Sequence, residues 1–314
     1  MALTGNQVDL FEASMPRLKA IAYRLLGSAG DAEDAVQDTF LRWQAADIER
    51  IQVPEAWLTK VLTNLCLNQL TSARARHETY VGQWLPEPLL AGDPMLGPAD
   101  TVEQRESVSY AVLALMERLS PNERVVYVLR AAFGYPHRRI AEILDITEAA
   151  GQQIFHRAKK HIAEGRARTE VDEAAARPVV EEFLTAATSG RTEPLVRLLT
   201  ADAVAIGDGG GKVPARAKAF EGALAVAKFM RGLFTPGKAK LAIAGGSPEI
   251  HITTANGGPA LVAVVDGRVI GVTCLEITSD GIAAFRSQVN PDKLERANRR
   301  WAATDHGDPL ILTY

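Results

Sequence analysis

The side chains best suited to recognition chemistry lie between residues 148 and 160, where amide and basic groups recur at helical spacing. Glutamine on a helix in the major groove can pair bidentately with adenine, and arginine or lysine can neutralise phosphates. A tight turn at 145–147 joins this segment to a shorter amphipathic helix at 138–144, which predicts a helix-turn-helix and favours DNA binding over a merely solvated basic face. The predicted DNA-reading residues are Glu148, Gln152, Gln153, His156, Arg157 and Lys160.

A second set of residues is acidic. Ser28 to Asp31 has the form of a capping box, and the helix that follows carries Glu33, Asp34, Gln37 and Asp38 beside an apolar stripe. Positions three and four apart on a helix are neighbours, so these like charges repel one another. The pattern favours a surface for a basic partner, with an ordinary solvated face as the alternative.

The third set follows Pro54, where an apolar periodicity predicts a helix through residue 76. Asn64 lies within it and could contact a base edge or simply bond to backbone, and the sequence leaves both open. Arg74 and Arg76 add basic charge near its end.

The remaining candidates point away from catalysis and metals. The stretch 177–295 offers the carboxylates Asp202, Asp208 and Asp266 and a single histidine, His251, with no acid–base dyad evident in sequence. The two cysteines, Cys66 and Cys274, stand far apart in apolar runs, which predicts buried thiols. We therefore expect no catalytic residue, metal or cofactor, and a C-terminal pocket that is empty, ligand-sensing or filled by contacts.

The elements that position these residues are predicted from periodicity. Pro16 is expected to kink or restart the first helix. In the C-terminal part, helices are predicted at 179–188 and 217–233, and Asp-Gly turns at 266–267 and 280–281 indicate hairpins. Five strands of an antiparallel sheet are predicted at 241–244, 250–254, 261–265, 269–277 and 282–289. The resulting divisions are a helical domain at 8–78, a Pro/Gly-rich linker at 79–105, a helical domain at 106–168, an α+β domain at 177–295 and a tail at 296–314.

Composition agrees with a folded, multidomain chain. The 314 residues are 47% apolar and carry a net charge of −3, so nucleic-acid binding must come from local basic patches. No run is long and apolar enough for a membrane helix, and residues 1–7 lack a signal-peptide pattern, which predicts a cytoplasmic protein.

Four segments in this order carry a family resemblance: 31–43 (DAEDAVQDTFLRW), 57–70 (WLTKVLTNLCLNQL), 119–129 (LSPNERVVYVL) and 140–161 (IAEILDITEAAGQQIFHRAKKH). Together they resemble the extracytoplasmic-function sigma factors, transcription initiation subunits with two all-α domains called regions 2 and 4. Three further segments, 84–88 (WLPEP), 208–212 (DGGGK) and 290–294 (NPDKL), resemble the sigma-J-like group, which has a fused α+β SnoaL-like domain.

The resemblance implies roles for each set of residues. Glu33, Asp34, Gln37 and Asp38 would bind the β′ clamp helices of RNA polymerase core, and region 4 would contact the β flap. Asn64 and the loop 51–56 would hold a base flipped from the −10 element, Arg74 and Arg76 would touch phosphates, and the helix from Glu148 would read the −35 element of promoter DNA. Gly151 departs from the family pattern, which has an apolar residue there.

The same resemblance, with an apolar linker segment and a glycine-rich loop, suggests regulation within the chain. We expect the C-terminal domain to dock on the linker and the first helical domain, with Lys212 pairing Glu87 or another linker acid. Two alternatives stay open here: a ligand-responsive helix-turn-helix repressor, and an isomerase or cyclase with a DNA-binding module. The predicted regulatory contacts are Trp84, Leu85, Pro86, Glu87, Pro88, Asp208, Gly209, Gly210, Gly211, Lys212, Asn290, Pro291, Asp292, Lys293 and Leu294.

Overall fold

The computed structural model describes residues 5–77, 80–97, 101–165, 173–216, 218–235 and 237–311. The chain divides into two compact units, the first made of Met1–Thr79 and Gly92–Ala167 and the second of Tyr80–Ala91 and Arg168–Tyr314. The predicted linker is thus shared, because residues 80–91 pack with the second unit and residues 92–97 with the first. No helix within the described ranges is long and apolar enough to cross a membrane.

The first unit is helical, as its periodicity predicts. Phe11, Leu18 and Leu25 of the first helix are buried, and the second and third helices pack against it. Pro16 lies inside α1, which runs without a break from Gly5 to Leu26, so the helix does not restart at this proline. The helices are α1 (Gly5–Leu26), α2 (Ala29–Ala45), α3 (Pro54–His77), α4 (Val102–Val108), α5 (Tyr110–Met116), α6 (Pro121–Tyr127), α7 (His137–Leu144) and α8 (Glu148–Gly165), with a π-helical turn at Val128–Ala132.

Contacts inside the first unit join its two helical halves. The Thr59 hydroxyl on α3 lies 2.9 Å from the Tyr135 hydroxyl, and Lys60 Nζ donates to the Glu142 carbonyl at 2.8 Å. Arg17 on α1 lies over the Tyr135 ring at 5.0 Å from its centroid. The segment that leads into α7 is therefore anchored on α1 and α3.

The second unit combines helices with one mixed sheet. Within the described residues the strands lie in the order β2-β1-β6-β5-β4-β3. The strands are β1 (Leu199–Asp208), β2 (Phe220–Glu221), β3 (Glu249–Ala255), β4 (Gly258–Val265), β5 (Arg268–Thr278) and β6 (Gly281–Gln288). The helices are α9 (Glu173–Thr188), α10 (Glu193–Leu198), α11 (Ala223–Phe234), α12 (Lys238–Ala244) and α13 (Glu295–Ala302).

The structure corrects several sequence predictions in this unit. The run 241–244, predicted as a strand, lies in α12, because a short apolar run fits either a helix or a strand. The sheet is not wholly antiparallel, since β1 pairs with β6 in parallel. The helix predicted at 217–233 begins at Ala223, and the tail contains α13.

Both predicted Asp-Gly hairpins are confirmed. Asp266 and Gly267 join β4 to β5 with φ of 50° and 75°, the left-handed conformation that a tight two-residue hairpin requires. Gly281 follows Asp280 at the β5–β6 connection. These turns fix the register of β5 and β6, whose ends carry the residues described next.

The core of the second unit lies between the sheet and α9, α10 and α11. The Phe183 ring packs 4.9 Å from Phe285 on β6 and 6.0 Å from Phe234 on α11, measured between centroids. Cys274 is buried in this unit and Cys66 in the other, and both are free thiols, as predicted. Burial raises the pKa of Cys66 to about 12, so that thiol stays protonated and unreactive.

Candidate functional site

The predicted polymerase-binding residues lie together on one face of α2. The Ser28 hydroxyl accepts a hydrogen bond from the Asp31 N–H and caps the helix. Asp34, Gln37 and Asp38 are exposed, whereas Glu33 is half-buried at the edge of this face. Leu41, 54% exposed, extends the face by one turn. The result is an acidic surface with an apolar side chain in water, which suits a protein partner that brings cations and apolar groups.

The opposite face of α2 is buried and fixes how this helix is rotated about its axis. Ala32, Val36 and Trp43 are buried, and the Trp43 indole N–H donates to the Gln7 carbonyl at 3.1 Å. The Trp57 ring on α3 lies 5.6 Å from the Trp43 ring, so these two aromatic side chains lock α2 against α3. Packing therefore decides which face of α2 meets solvent.

Asn64 lies on α3 and is half-buried. It follows Lys60 by one helical turn, and Lys60 bonds to the carbonyl of Glu142 in α7. Residues 51–53 precede α3 as a loop in which Val53 is exposed, and Pro54 starts the helix. Arg74 and Arg76 belong to α3, but their side chains lie outside the described residues.

The helix-turn-helix has the predicted boundaries to within a few residues. Asp145 has a φ of 53°, and this left-handed residue ends α7 and turns the chain toward α8. The Thr147 hydroxyl accepts from the Ala150 N–H at 3.2 Å at the start of α8. Ala158 and Ile162 are buried, which places the opposite side of α8 in solvent.

All six predicted DNA-reading residues are exposed along α8: Glu148, Gln152, Gln153, His156, Arg157 and Lys160. Two ion pairs neutralise part of this charge, Arg157 with Glu123 at 4.0 Å and Lys160 with Glu164 at 3.7 Å. The Lys160–Glu164 pair is exposed on both sides, and such pairs are weak and readily exchanged for contacts with phosphate, whereas Glu123 is buried.

Gly151 lies near the start of α8 and is buried. A Cβ built there would lie 3.9 Å from the His137 carbonyl oxygen and from Ile146 Cδ1, an ordinary van der Waals separation. The helix therefore has room for a methyl group at this position.

The predicted regulatory segments meet within the second unit around the carboxylate of Asp208, which is fully buried. Asp208 Oδ2 accepts hydrogen bonds from the Leu85 N–H at 2.9 Å, from Gln288 Nε2 at 3.1 Å and from Lys293 Nζ at 2.8 Å. Oδ1 accepts from the Tyr80 hydroxyl at 2.6 Å and from the Gly210 N–H at 3.0 Å. We call Asp208, Gln288, Asn290 and Lys293 the linker clamp.

The clamp binds both the N–H and the carbonyl group of Leu85. Lys293 Nζ donates to the Leu85 carbonyl at 2.7 Å while Asp208 accepts from its N–H. The ammonium also lies 4.0 Å from the centroid of the Trp84 ring, a cation–π distance. Asn290 Nδ2 donates to the Tyr80 hydroxyl at 3.1 Å. Residues 85–90 are buried as a result, so the WLPEP segment forms part of the second unit.

The charge of Asp208 is stabilised by its partners. Burial alone would raise the pKa of this carboxyl, but the Lys293 ammonium and the hydrogen bonds from Lys293, Tyr80 and Leu85 outweigh it and hold the pKa below its ordinary value. Burial, together with the hydrogen bond to Asp208, raises the pKa of the Tyr80 hydroxyl. The clamp is therefore an ionised carboxylate surrounded by donors at neutral pH.

The glycine-rich loop owes its composition to close contacts. A Cβ at Gly210, where φ is 59°, would lie 2.2 Å from Asn290 Nδ2, and one at Gly209 would lie 2.1 Å from the Val213 carbonyl oxygen. The expected pairing of Lys212 with Glu87 or another linker acid is wrong: Lys212 pairs with Asp292 at 2.6 Å, which ties the loop to the 290–294 segment. Within that segment, Pro291 begins a single helical turn that ends at Leu294.

Two clamp contacts were not anticipated from sequence. The Tyr80 hydroxyl and the Gln288 amide both bond to Asp208, although they lie 128 and 80 residues away along the chain. A further contact lies at Leu89, whose N–H donates to Asn256 Oδ1 at 3.0 Å and whose carbonyl accepts from the Asn256 N–H at 2.8 Å. In the sequence, the position of the Tyr80 ring shortly before the WLPEP segment is the one feature that could have predicted its contact with Asp208.

Comparison with known proteins gives consistent matches. Residues 10–76 match the family model for sigma-70 region 2, and residues 109–162 match that for sigma-70 region 4. The chain is 37% identical over 297 residues to the ECF RNA polymerase sigma factor SigJ of Mycobacterium tuberculosis, covering 91% of this chain and 93% of that protein. It is 30% identical over 287 residues to the probable ECF RNA polymerase sigma factor SigI of the same species, covering 88% and 90%.

A solved structure is also similar. The crystal structure of the extracytoplasmic function sigma factor SigJ of Mycobacterium tuberculosis matches with a TM-score of 0.69 and 32% sequence identity. The match covers 91% of this chain and 98% of the crystallised chain, so it includes both the helical unit and the α+β unit.

Proposed function

The chain belongs to the ECF RNA polymerase sigma factors, and from that premise we propose how its surfaces divide the work of promoter recognition. Sigma factors act with RNA polymerase core and promoter DNA, and the matches support this function rather than a ligand-responsive repressor. The predicted fold class, two all-α sigma regions with a SnoaL-like α+β domain, is likewise confirmed.

The acidic face of α2 binds the polymerase. Asp34, Gln37 and Asp38 are exposed beside Leu41, and Glu33 lies at the edge, which supports binding to the β′ clamp helices through cations and an apolar contact. Region 4 contacts the β flap. Within region 2, Asn64 and residues 51–56, which form the loop before α3 and its first residues, receive a base flipped from the −10 element, and Arg74 and Arg76 contact phosphates.

The exposed face of α8 reads the −35 element. Its two glutamines and its histidine face solvent early in the helix, where a recognition helix contacts base edges. Arg157 and Lys160 lie farther along and supply phosphate contacts. The exposed start of α8 and the buried Ala158 and Ile162 together support insertion of this helix into the major groove.

The C-terminal unit regulates the sigma regions through the linker clamp. The observation that carries this proposal is the hold of Asp208 and Lys293 on the N–H and carbonyl of Leu85. Residues 80–91 connect region 2 to region 4 along the chain, so holding them limits how far the two regions can separate. Because the clamp is tethered, modest contacts suffice to keep it closed.

The C-terminal unit acts without catalysis. Asp208 has a lowered pKa and is enclosed by donors, which suits a structural carboxylate and not a general base near neutral pH. Asp266 is exposed in a hairpin turn, and Asp202 accepts from the Thr200 hydroxyl at 2.9 Å. We place the protein in the cytoplasm with the polymerase that it serves.

Charge reversal tests the polymerase surface. Asp34→Lys with Asp38→Lys should weaken binding to core polymerase at least tenfold, measured by fluorescence anisotropy of labelled protein, because both carboxylates face the partner. The matched control is Glu12→Lys with Glu103→Lys, which reverses the same charge at two other exposed positions. Equal affinity of the α2 variant and the control would contradict this assignment.

A further inference from the structure

An open apolar cavity lies in the second unit, between the sheet and helices α9, α11 and α12. Its volume is about 790 Å³, within the range of roughly 300 to 1,000 Å³ typical of small-molecule sites. Leu233 on its wall is 44% exposed, so apolar surface meets water that a ligand would displace.

One wall of the cavity is aromatic. The Phe220 and Phe229 rings stack with their centroids 4.2 Å apart and their planes at 16°. The Arg216 guanidinium lies 4.6 Å from the Phe220 centroid, on the face of that ring. An apolar body placed against these rings would therefore have a cation beside it.

The floor of the cavity is neutral, and its ionisable groups are exposed. Thr273 and Ser287 lie half-buried on β5 and β6 with their hydroxyls 2.9 Å apart. The ionisable side chains among the described lining residues are three cations and one carboxylate, all of them exposed: Arg216, Lys218, Arg268 and Asp266. This distribution favours a ligand with an apolar body inside and a negative group near the arginines.

The cavity shares its walls with the linker clamp. Gly207 and Val213 line it and bracket the loop that begins with Asp208. Val289, Pro291 and Leu294 line it too, and they alternate with Asn290 and Lys293 of the clamp. A molecule that fills the cavity would therefore contact the segments that carry the Leu85 partners.

We propose that this cavity binds an amphipathic carboxylate, with its apolar body against Phe220 and Phe229 and its charge at Arg216, and that occupancy tightens the linker clamp. The coupling rests on the proposed role of the clamp, whereas the binding does not. A bound apolar body stabilises the walls that carry Pro291 and Leu294, so the clamp residues beside them lose alternative positions.

Calorimetric titration of the full chain with dodecanoate tests the binding. Dodecyltrimethylammonium has the same apolar body with the opposite charge and serves as the control ligand, each used below its micelle concentration. We expect dodecanoate to bind at least tenfold more tightly than dodecyltrimethylammonium. Arg216→Gln should weaken dodecanoate binding by about the same factor, so that the two ligands bind with similar affinity. Arg191→Gln, an exposed arginine of the same unit outside the cavity, should leave the affinity unchanged. Ala263→Phe, which fills the floor, should abolish binding.

Absent binding, equal affinity for the two ligands, or an unaffected Arg216→Gln variant would overturn the site. The glutamine variants keep the test valid if Ala263→Phe fails to fold. Hydrogen exchange tests the coupling: dodecanoate should slow exchange of the Leu85 amide several-fold, and an unchanged rate with bound ligand would overturn the coupling. A Leu85 amide that exchanges freely without ligand would instead count against the proposed clamp, whatever the titration shows.

Discussion

Asp208 shows how one residue can join distant parts of a chain. Its two oxygens accept hydrogen bonds from residues 80 and 85 on one side and from residues 288 and 293 on the other. A buried carboxylate with no compensation would be costly, and here a cation and several N–H and O–H donors surround it. Removing the charge therefore affects every one of these segments.

The pH dependence of stability should report this carboxylate. The pKa of Asp208 is lower in the folded chain than in the unfolded chain, so its stabilisation is present above about pH 4 and is lost as the pH falls through the folded value below that. Asp208→Asn should lower the free energy of unfolding of the C-terminal unit by about 3 to 5 kcal/mol at pH 7. Hydrogen exchange of β5 and β6 amides measures this free energy.

The difference between wild type and Asp208→Asn should shrink as the pH falls below about 4, because the unfolded carboxyl takes up a proton there, and it should level off only below the folded pKa, where both side chains are neutral. Asp266→Asn is the matched control, since Asp266 is exposed and asparagine accepts its left-handed φ of 50°. A difference that stays constant from pH 7 to pH 3 would show that the charge of Asp208 does not hold the clamp.

Gly151 gives a second test at this scale. Glycine in a helix interior costs about 1 kcal/mol relative to alanine, and the space around Gly151 accommodates a Cβ. Gly151→Ala should raise the free energy of unfolding of the first unit by up to about 1 kcal/mol, measured by urea denaturation. Gly134→Ala, where φ is 68°, should destabilise instead. A destabilised Gly151→Ala variant would mean that α7 packs on α8 more closely than described.

At the scale of elements, the proposed function gives α3 and α8 different DNA-binding tasks. Asn64 sits on a half-buried part of α3 suited to a single unstacked base, whereas the exposed face of α8 suits the groove of intact duplex. Lys60 and Thr59 tie α3 to the segment that includes α7. The two surfaces are thus carried on helices that pack in one unit.

Single substitutions should separate the two tasks. Asn64→Ala should reduce promoter opening, seen as permanganate reactivity of the −10 element, while leaving duplex affinity within about twofold, because extruding a base costs a few kcal/mol that its pocket offsets. Gln152→Ala should instead weaken binding to duplex that carries the −35 element. Asn68→Ala, an exposed asparagine of the same helix, is the control. Normal opening by Asn64→Ala would remove Asn64 from the proposed mechanism.

The sequence predicts elements that have a strong local pattern and misses those that depend on contacts between distant residues. The amphipathic helices α2, α3 and α8 carry strong local periodicity, and the Asp-Gly turns are local signals, so both were predictable. The short apolar run at 241–244 carries no period that distinguishes helix from strand. The parallel pairing of β1 with β6 joins residues about 80 apart and leaves no local pattern. The motif segments around Asp208 were predictable by resemblance, but the bonds from Tyr80 and Gln288 depend on the folded sheet.

At the scale of the whole molecule, the central feature is that the C-terminal unit holds the chain between the two sigma regions. Residues 80–91 belong to that unit, although regions 2 and 4 lie on either side of them in sequence. Leu90 pairs with Ala255 at the end of β3, and Arg300 on α13 donates to the Ala91 carbonyl at 3.0 Å. Residues 80–91 are thus bound by the clamp at Leu85 and by the sheet edge and α13 at Leu90 and Ala91.

Hydrogen exchange of the Leu85 and Leu89 amides in the full chain tests this claim most directly. We predict that both amides exchange at least a hundredfold more slowly than in an unfolded peptide, because each donates to a buried side-chain oxygen. In Asp208→Asn, the Leu85 amide should lose at least tenfold of that protection, whereas Asp266→Asn should match the wild type. Exchange of the Leu85 amide at the unfolded rate in the wild type, or equal protection in Asp208→Asn, would contradict the account.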